Sequence, residues 1–385
     1  MMEGWKNYCL KEIIDELIMG QSPDSSSYNN EEKGIAFIQG NADMQNGVPS
    51  IRMFTTDPKR YSELNDILLS VRAPVGDVFY NNYGNLSIGR GLSAIRIKNK
   101  HLRTLVYYWL KFDKKQFERL EQGTTFTEIG KKEVRNINVT IPTNSKEQAS
   151  IANILSKVDE AIESVKKSIE AAEKLKKSLM QNLLTGRIKP DGTLRKDDEF
   201  YVDDKFGKVP IGWEVCRFGR KIILCYGKSQ KEVVSENGTI PVYGTGGVIE
   251  YATKSLCDHE SVLVGRKGTI DKPCFINIPF WAVDTTYYVD SFIDGNMKYL
   301  YYILLRMNLE TLNEATGVPS ITRRTINRQK VLLPPLPEQN TIVETLEKIE
   351  EKINNKQSKV YILERLKKSL MQNLLTGKVR VGEGK

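Results

Sequence analysis

The chain has 385 residues, 40% of them apolar, and its 57 basic and 48 acidic side chains leave a net charge of +9. That length suits two to four domains with real cores, which excludes wholesale disorder, and no run approaches the ~20 apolar residues of a membrane span. The mild basic excess suits a polyanionic partner. Five cysteines without CxxC spacing, behind an N-terminus (MMEGWKNYCL) with no signal pattern, read as reduced thiols of a cytoplasmic protein.

In chain order, residues 1–145 read as a first globular domain. Its β-rich segments are IAFIQG (35–40) and DILLSVRAPVGDV (66–78), followed by an amphipathic helix over 104–121. Residues 146–186 read as one long helix. Ile151, Leu155, Val158, Ile162, Val165, Ile169 and Ala172 are spaced alternately by four and three, a heptad seam, and the stripe then shifts to Leu175, Leu179 and Leu183. Ser145 with Gln148 forms a capping box at its start, and Gly186 is a stop. Residues 187–209, rich in Lys and Asp, form a polar linker.

Residues 210–337 read as a second globular domain, with strands in PVYGTGG (241–247), SVLVGRKGTI (261–270) and FWAVDTTYYV (280–289), then a helix over 297–315. Residues 338–377 form a second long helix with Pro337 at its first turn and Gly377 as its stop, and 378–385 is a tail.

The two halves are copies of one unit. LKKSLMQNLLTG occurs at Leu175–Gly186 and again, unchanged, at Leu366–Gly377, and forty residues around it align without a gap at an offset of 191. Glu147-Gln148 thus matches Glu338-Gln339, and Val165 matches Lys356, a polar interruption that can fix register. The globular parts match more loosely: Trp5 with Trp213, Gly20 with Gly227, Arg72 with Arg266, and Tyr107-Tyr108 with Tyr301-Tyr302, tyrosines read as helix packing. A helix of about 38 residues is roughly 57 Å long, and with one apolar stripe it needs a partner, the other copy being the obvious one. The expected fold is α+β and pseudo-twofold, two β-rich domains with peripheral helices joined by paired long helices. Spacing alone leaves parallel and antiparallel pairing open. An antiparallel pair would set the two globular domains at opposite ends of the rod, and a parallel pair would crowd both at one end.

These pieces resemble the specificity (S) subunit of type I restriction-modification systems. GQSP (20–23), FIQGNA (37–42) and ILLSVRAPVGDV (67–78) look like a first target-recognition domain, and KVPIGWEV (208–215) like the start of a second. LPPLPEQ (333–339) and the doubled LKKSLMQNLLTG look like the family's conserved regions, although the first copy has IPTNSKEQ (141–148) in place of LPPLPEQ. The resemblance covers essentially the whole chain. It implies a non-catalytic subunit whose two domains each read half of a split, asymmetric target in double-stranded DNA. Antiparallel coils would dock two adenine methyltransferase subunits, with motor-nuclease subunits joining to cut unmodified DNA. S-adenosylmethionine, ATP and magnesium would be bound by those partners, so this chain is expected to hold no cofactor and no metal and to meet no membrane.

Loop residues of types that bond base edges or phosphates are the candidate DNA contacts. They are Gln21, Ser22, Arg72 and Arg90 in the first domain, and Lys228, Gln230, Tyr243, Arg266, Lys267 and Arg323 in the second. The matched pair Arg72 and Arg266 leads. The repeated Lys177, Met180, Gln181 and Asn182, with Lys368, Met371, Gln372 and Asn373, are the candidate docking residues.

Enzyme readings fail on their motifs. Gly227-Lys228-Ser229 lacks the earlier glycine of a phosphate loop, where Ile222 stands. Pro190-Asp191 with Asp203-Asp204-Lys205 imitates a nuclease but lies in the polar linker, with no strand expected there. Two histidines, His101 and His259, make a His-based centre improbable. The competing readings are a coiled-coil adaptor that binds proteins, and a nuclease or methylase with an unrecognised centre.

Overall fold

The computed structural model describes residues 3–45, 47–117 and 128–381. It divides into two units, Met1–Lys166 with Ser358–Lys385, and Lys167–Gln357. The fold is α+β, as the sequence implies.

In the first unit, strand Trp5–Cys9 pairs antiparallel with Asn138–Pro142, closing the ends of the domain onto each other. A four-stranded antiparallel sheet follows the order Val78–Tyr80, Ile67–Ser70, Leu92–Arg96, Glu16–Met19. Ile67, Leu68 and Leu69 are all fully buried, so this strand is covered on both faces. In a second sheet Leu86–Ile88 runs parallel to Ile35–Ile38.

The second unit repeats the plan. Glu214–Arg217 pairs with Lys330–Leu333, and the four-stranded order is Cys274–Ile276, Ser261–Gly265, Thr286–Phe292, Ile222–Tyr226. Trp281–Ala282 runs parallel to Ile240–Gly244.

The peripheral helices are shorter than expected. In the first unit Lys100–Phe112 starts on Asn99, whose side chain accepts from the His101 and Leu102 amides. It ends at Asp113, well before 121, and residues 118–121 of the expected helix lie outside those described. In the second, Met297–Arg306 starts on Asn296 in the same way. Asn308, in the left-handed region at φ +48°, then breaks the expected 297–315 helix, and Leu309–Leu312 is a 3-10 turn.

The long helices run Ser145–Leu183 and Leu336–Leu374. Each ends at a glycine with positive φ, and the first closes in a Schellman turn. In the first, the Gly186 amide bonds Leu183 O and the Arg187 amide bonds Asn182 O. The expected capping box at Ser145 is not what forms. Asn144 accepts from the Lys146 amide, and Gln148 reaches back to the Pro142 carbonyl.

Within each unit the two helices meet antiparallel. In the first, Ile151 and Leu155 share a core with Leu374 and Leu375, and Asp159 pairs with Lys367 further along. In the second, Ile342 and Leu346 share a core with Leu183 and Leu184, and Glu350 pairs with Lys176. Lys356, the polar interruption of the seam, is bonded to Ser168. The expected shift of the stripe onto Leu175 is wrong: Leu175 is 53% exposed, and Lys176 takes the inward position through its ion pair.

Two arginines tie these helix starts down. Arg380, just past the second long helix, binds Glu147 through Nε (2.6 Å) and Nη2 (2.8 Å) in the first unit. Arg195, past the first long helix, binds Glu338 in the second unit, where Glu338 also accepts from Trp213 Nε1 at 3.0 Å. Both glutamates sit at helix N-termini, where a carboxylate is favoured. The linker therefore carries structure. Phe200–Asp203 and Gly207–Pro210 form a hairpin, so the expectation that no strand lies near Asp203 is corrected.

Candidate nucleic-acid interface

Two backbone crossings place the predicted contact loops. Gly20 follows strand Glu16–Met19, and a Cβ there would stand 2.1 Å from the Gly89 carbonyl. Only glycine lets these loops touch. The crossing is held by Gly20 N–H to Leu92 O and Gln21 N–H to Ile88 O, both 2.9 Å. It brings Gln21, Ser22 and Arg90 together: Ser22 Oγ accepts from Gln39 Nε2 at 2.9 Å and from the Arg90 amide at 3.3 Å. The Gln21 and Arg90 side chains face solvent.

The second unit repeats the crossing. A Cβ on Gly227 would lie 2.0 Å from the Val283 carbonyl, and the Lys228 amide bonds Ala282 O at 2.8 Å. The Lys228 side chain is exposed beside it. Gln230 is turned to Glu250, at 3.3 Å.

The matched arginines behave differently. Arg72 is occupied by Glu128, through Nε at 3.1 Å and Nη2 at 2.9 Å. Arg266 donates to the Asp284 carbonyl and lies over the Tyr226 ring, Cζ 5.3 Å from its centre. Arg323 lies over the same ring at 5.2 Å. Tyr226 is 46% exposed and braced edge-on by buried Tyr287, whose hydroxyl accepts from the Arg323 amide at 3.1 Å. An exposed aromatic flanked by two guanidiniums suits a nucleic-acid backbone and its bases.

This ring borders a recess of about 580 Å³ lined by Arg217, Arg220, Arg323, Arg324 and Arg328, with Asn327 at its floor. The short helix Arg323–Arg328, capped by Thr322, supplies three of these, and the segment Arg217–Arg220 supplies two. None of the five is in an ion pair among the described residues, so their fields add. Of these five, sequence reasoning picked Arg323. Arg217, Arg220, Arg324 and Arg328 were missed, although the run Arg323-Arg324 and the pair Arg217 and Arg220 were visible signals. Lys267 is exposed on the next turn, bridged through its backbone to Ser320.

Tyr243 is half-buried, edge-on to Phe280 at 6.0 Å, and burial pushes its hydroxyl pKa up. The paired tyrosines pack inward: Tyr108 donates to Asp159 at 2.7 Å, and Tyr302 is fully buried.

The docking candidates divide by face. Lys177, Gln181, Lys368 and Gln372 are exposed, whereas Met180 and Met371 pack partly against the cores of their own units. Asn182 is turned to the Ser178 carbonyl, and Asn373 to the Ser369 hydroxyl. No His, Cys, Asp and Glu grouping suited to a metal occurs among the described residues, and no helix there is long and apolar enough to cross a membrane.

Comparison with known proteins points one way. The sequence profile of the type I restriction modification DNA specificity domain matches residues 2–174 and again 213–364. The MjaIX specificity subunit of a type I restriction enzyme from Methanocaldococcus jannaschii is 28% identical over 345 residues, 82% of this chain and 78% of the relative. A further sequence from that organism, provisionally named the MjaX specificity subunit, is 43% identical over 175 residues. That match spans 45% of this chain and only 41% of the relative. Among solved structures, the S subunit of a type I system from M. genitalium superposes with a TM-score of 0.64 at 17% identity, covering 96% of both chains.

Proposed function

The chain belongs to the type I restriction-modification DNA specificity family, and from that premise we propose that it reads a bipartite, asymmetric DNA target, one half-site per unit. It is a non-catalytic specificity subunit, in line with the sequence reading. The observation that carries the bipartite reading is the pairing of a shared frame with unlike surfaces. Both units have the same order in their four-stranded sheet, yet the second presents five arginines with no ion pair among the described residues beside Tyr226, while the first presents Gln21 and Arg90. Unlike surfaces on like frames read unlike sequences.

The long helices present the repeated segments, which we assign to docking two adenine methyltransferase subunits. Motor-nuclease subunits complete the assembly in the cytoplasm. S-adenosylmethionine, ATP and magnesium belong to those partners.

The test is DNA binding by the chain with its methyltransferase across a salt series. Specific binding to one bipartite duplex, weakening steeply with salt, is the expected result. Turnover of DNA by the purified chain alone, or salt-insensitive binding, contradicts it.

A further inference from the structure

A second recess of the second unit has no part in the DNA interface described above. It measures about 1060 Å³. One wall is the repeated segment of the first long helix, with Lys176, Lys177, Met180 and Gln181. The opposite wall is the hairpin, which contributes Phe200, Phe206 and Lys208. Leu305 and Arg306, at the end of the peripheral helix, join Leu332 and Ile353 to complete the lining.

The chemistry is two-sided. Met180, Phe200, Phe206 and Leu305 offer apolar surface. Around them, Lys176 is paired with Glu350 and Lys208 with Asp197. Lys177, Arg187 and Arg306 have no carboxylate partner among the described residues, against Glu173 as the single acidic lining group. A surface with an apolar floor and surplus cations matches an amphipathic segment with an apolar ridge and acidic flanks.

The first unit holds the counterpart. Glu364, Lys367, Lys368, Met371 and Gln372 stand 191 residues after Glu173, Lys176, Lys177, Met180 and Gln181, and line a recess of about 420 Å³. Lys111 and Phe112 stand where the second unit has Leu305 and Arg306. Lys367 is paired with Asp159, Glu364 with Lys166, and Lys111 is turned to Tyr107. The same helix face therefore borders a smaller recess with fewer cations free of an ion pair among the described residues.

We infer that the second unit's recess is a socket for an acidic, amphipathic segment of the methyltransferase, and that it binds this partner more tightly than the equivalent face of the first unit. The inference rests on the docking role proposed above. Two partner copies then load in sequence, the first on the second unit.

The experiment is a titration of the full chain with its methyltransferase, followed by native mass spectrometry and calorimetry. The expected result is a 1:1 species well before the 2:1 species, with two affinities at least ~10-fold apart, the scale of a single well-placed anchor. Lys177→Glu and Phe206→Ala weaken the tight step and leave the weak one unchanged. Lys368→Glu weakens only the weak step. Because Lys177 is exposed, its variant keeps the test open if Phe206→Ala unfolds the hairpin. Two equal steps in the unaltered chain overturn the inference, as does a tight step moved by Lys368→Glu alone. If Lys177→Glu changes affinity for random duplex DNA and not the titration, the recess serves DNA and the inference fails. Absence of any methyltransferase binding overturns the docking reading itself.

Discussion

The two units share a frame and differ where they meet water. In each, the strand after the start of the domain pairs with the strand that leads into a long helix, and a short helix sits just before that second strand. In the second unit that short helix begins Arg323-Arg324 and faces Arg217 and Arg220 across a recess. In the first, the corresponding helix Lys131–Arg135 contains Glu133 and packs near the short helix Leu10–Ile13, which carries Lys11 and Glu12. Glu12 is bound to the Cys9 amide at 2.6 Å. Packing constrains the buried frame in both copies alike, whereas exposed positions are free to diverge toward different ligands.

The clasps at the helix starts differ in a second way. Glu338 serves both Arg195 and Trp213, whereas Glu147 serves Arg380 and leaves buried Trp5 Nε1 with no hydrogen-bond partner among the described residues. The second clasp is the better satisfied.

The largest expected effect follows from that difference. Glu338→Ala strands a nearly buried Arg195 and the Trp213 N–H, and should destabilise the second unit by about 4 kcal/mol in denaturant unfolding. Glu147→Ala should cost less, roughly 3 kcal/mol, because Arg380 keeps 37% of its side-chain surface in water. Equal losses would break the distinction. Next, Leu155→Ala and Leu346→Ala occupy matched, fully buried positions and should each cost about 3 kcal/mol. A large inequality there would mean that the two helix pairs do not pack alike.

Surface differences should appear in DNA binding. Replacing Arg323 and Arg324 with alanine should flatten the dependence of log affinity on log salt by about two. Replacing Lys131 and Lys132 should flatten it by less, since Glu133 lies among them. The smallest effect belongs to Leu175→Ser and Leu366→Ser, at 53% and 45% exposure. Each should change stability by no more than about 0.5 kcal/mol, while methyltransferase titration reads whether these exposed leucines contribute to docking.

Much of the frame is legible in the sequence. The exact repeat and the heptad spacing located the long helices to within a few residues, because an apolar stripe on a helix has few ways to be buried. Gly186 and Gly377 were readable as helix stops, and both take positive φ, whereas Gly20 and Gly227 showed in the sequence only as a matched pair and their close backbone crossings appear only in the fold. The contact residues were less legible. Arg72 looked equivalent to Arg266 until Glu128, 56 positions away in the chain, turned out to occupy it. The arginine recess joins Arg217 and Arg220 to Arg323, Arg324 and Arg328 across roughly a hundred residues, a proximity set by the pairing of Glu214–Arg217 with Lys330–Leu333. Leu175 misled because Lys176 could take the inward position by pairing with Glu350. The hairpin after the first long helix was hidden by its polar composition.

The most direct measurement is the map of methylated adenines in DNA from cells carrying this subunit with its methyltransferase, repeated after residues 210–333 are exchanged for those of a related specificity subunit. The account predicts two short specified blocks separated by a fixed unread gap, with only one block changed by the exchange. A single uninterrupted motif, or an exchange that rewrites both blocks, would contradict it.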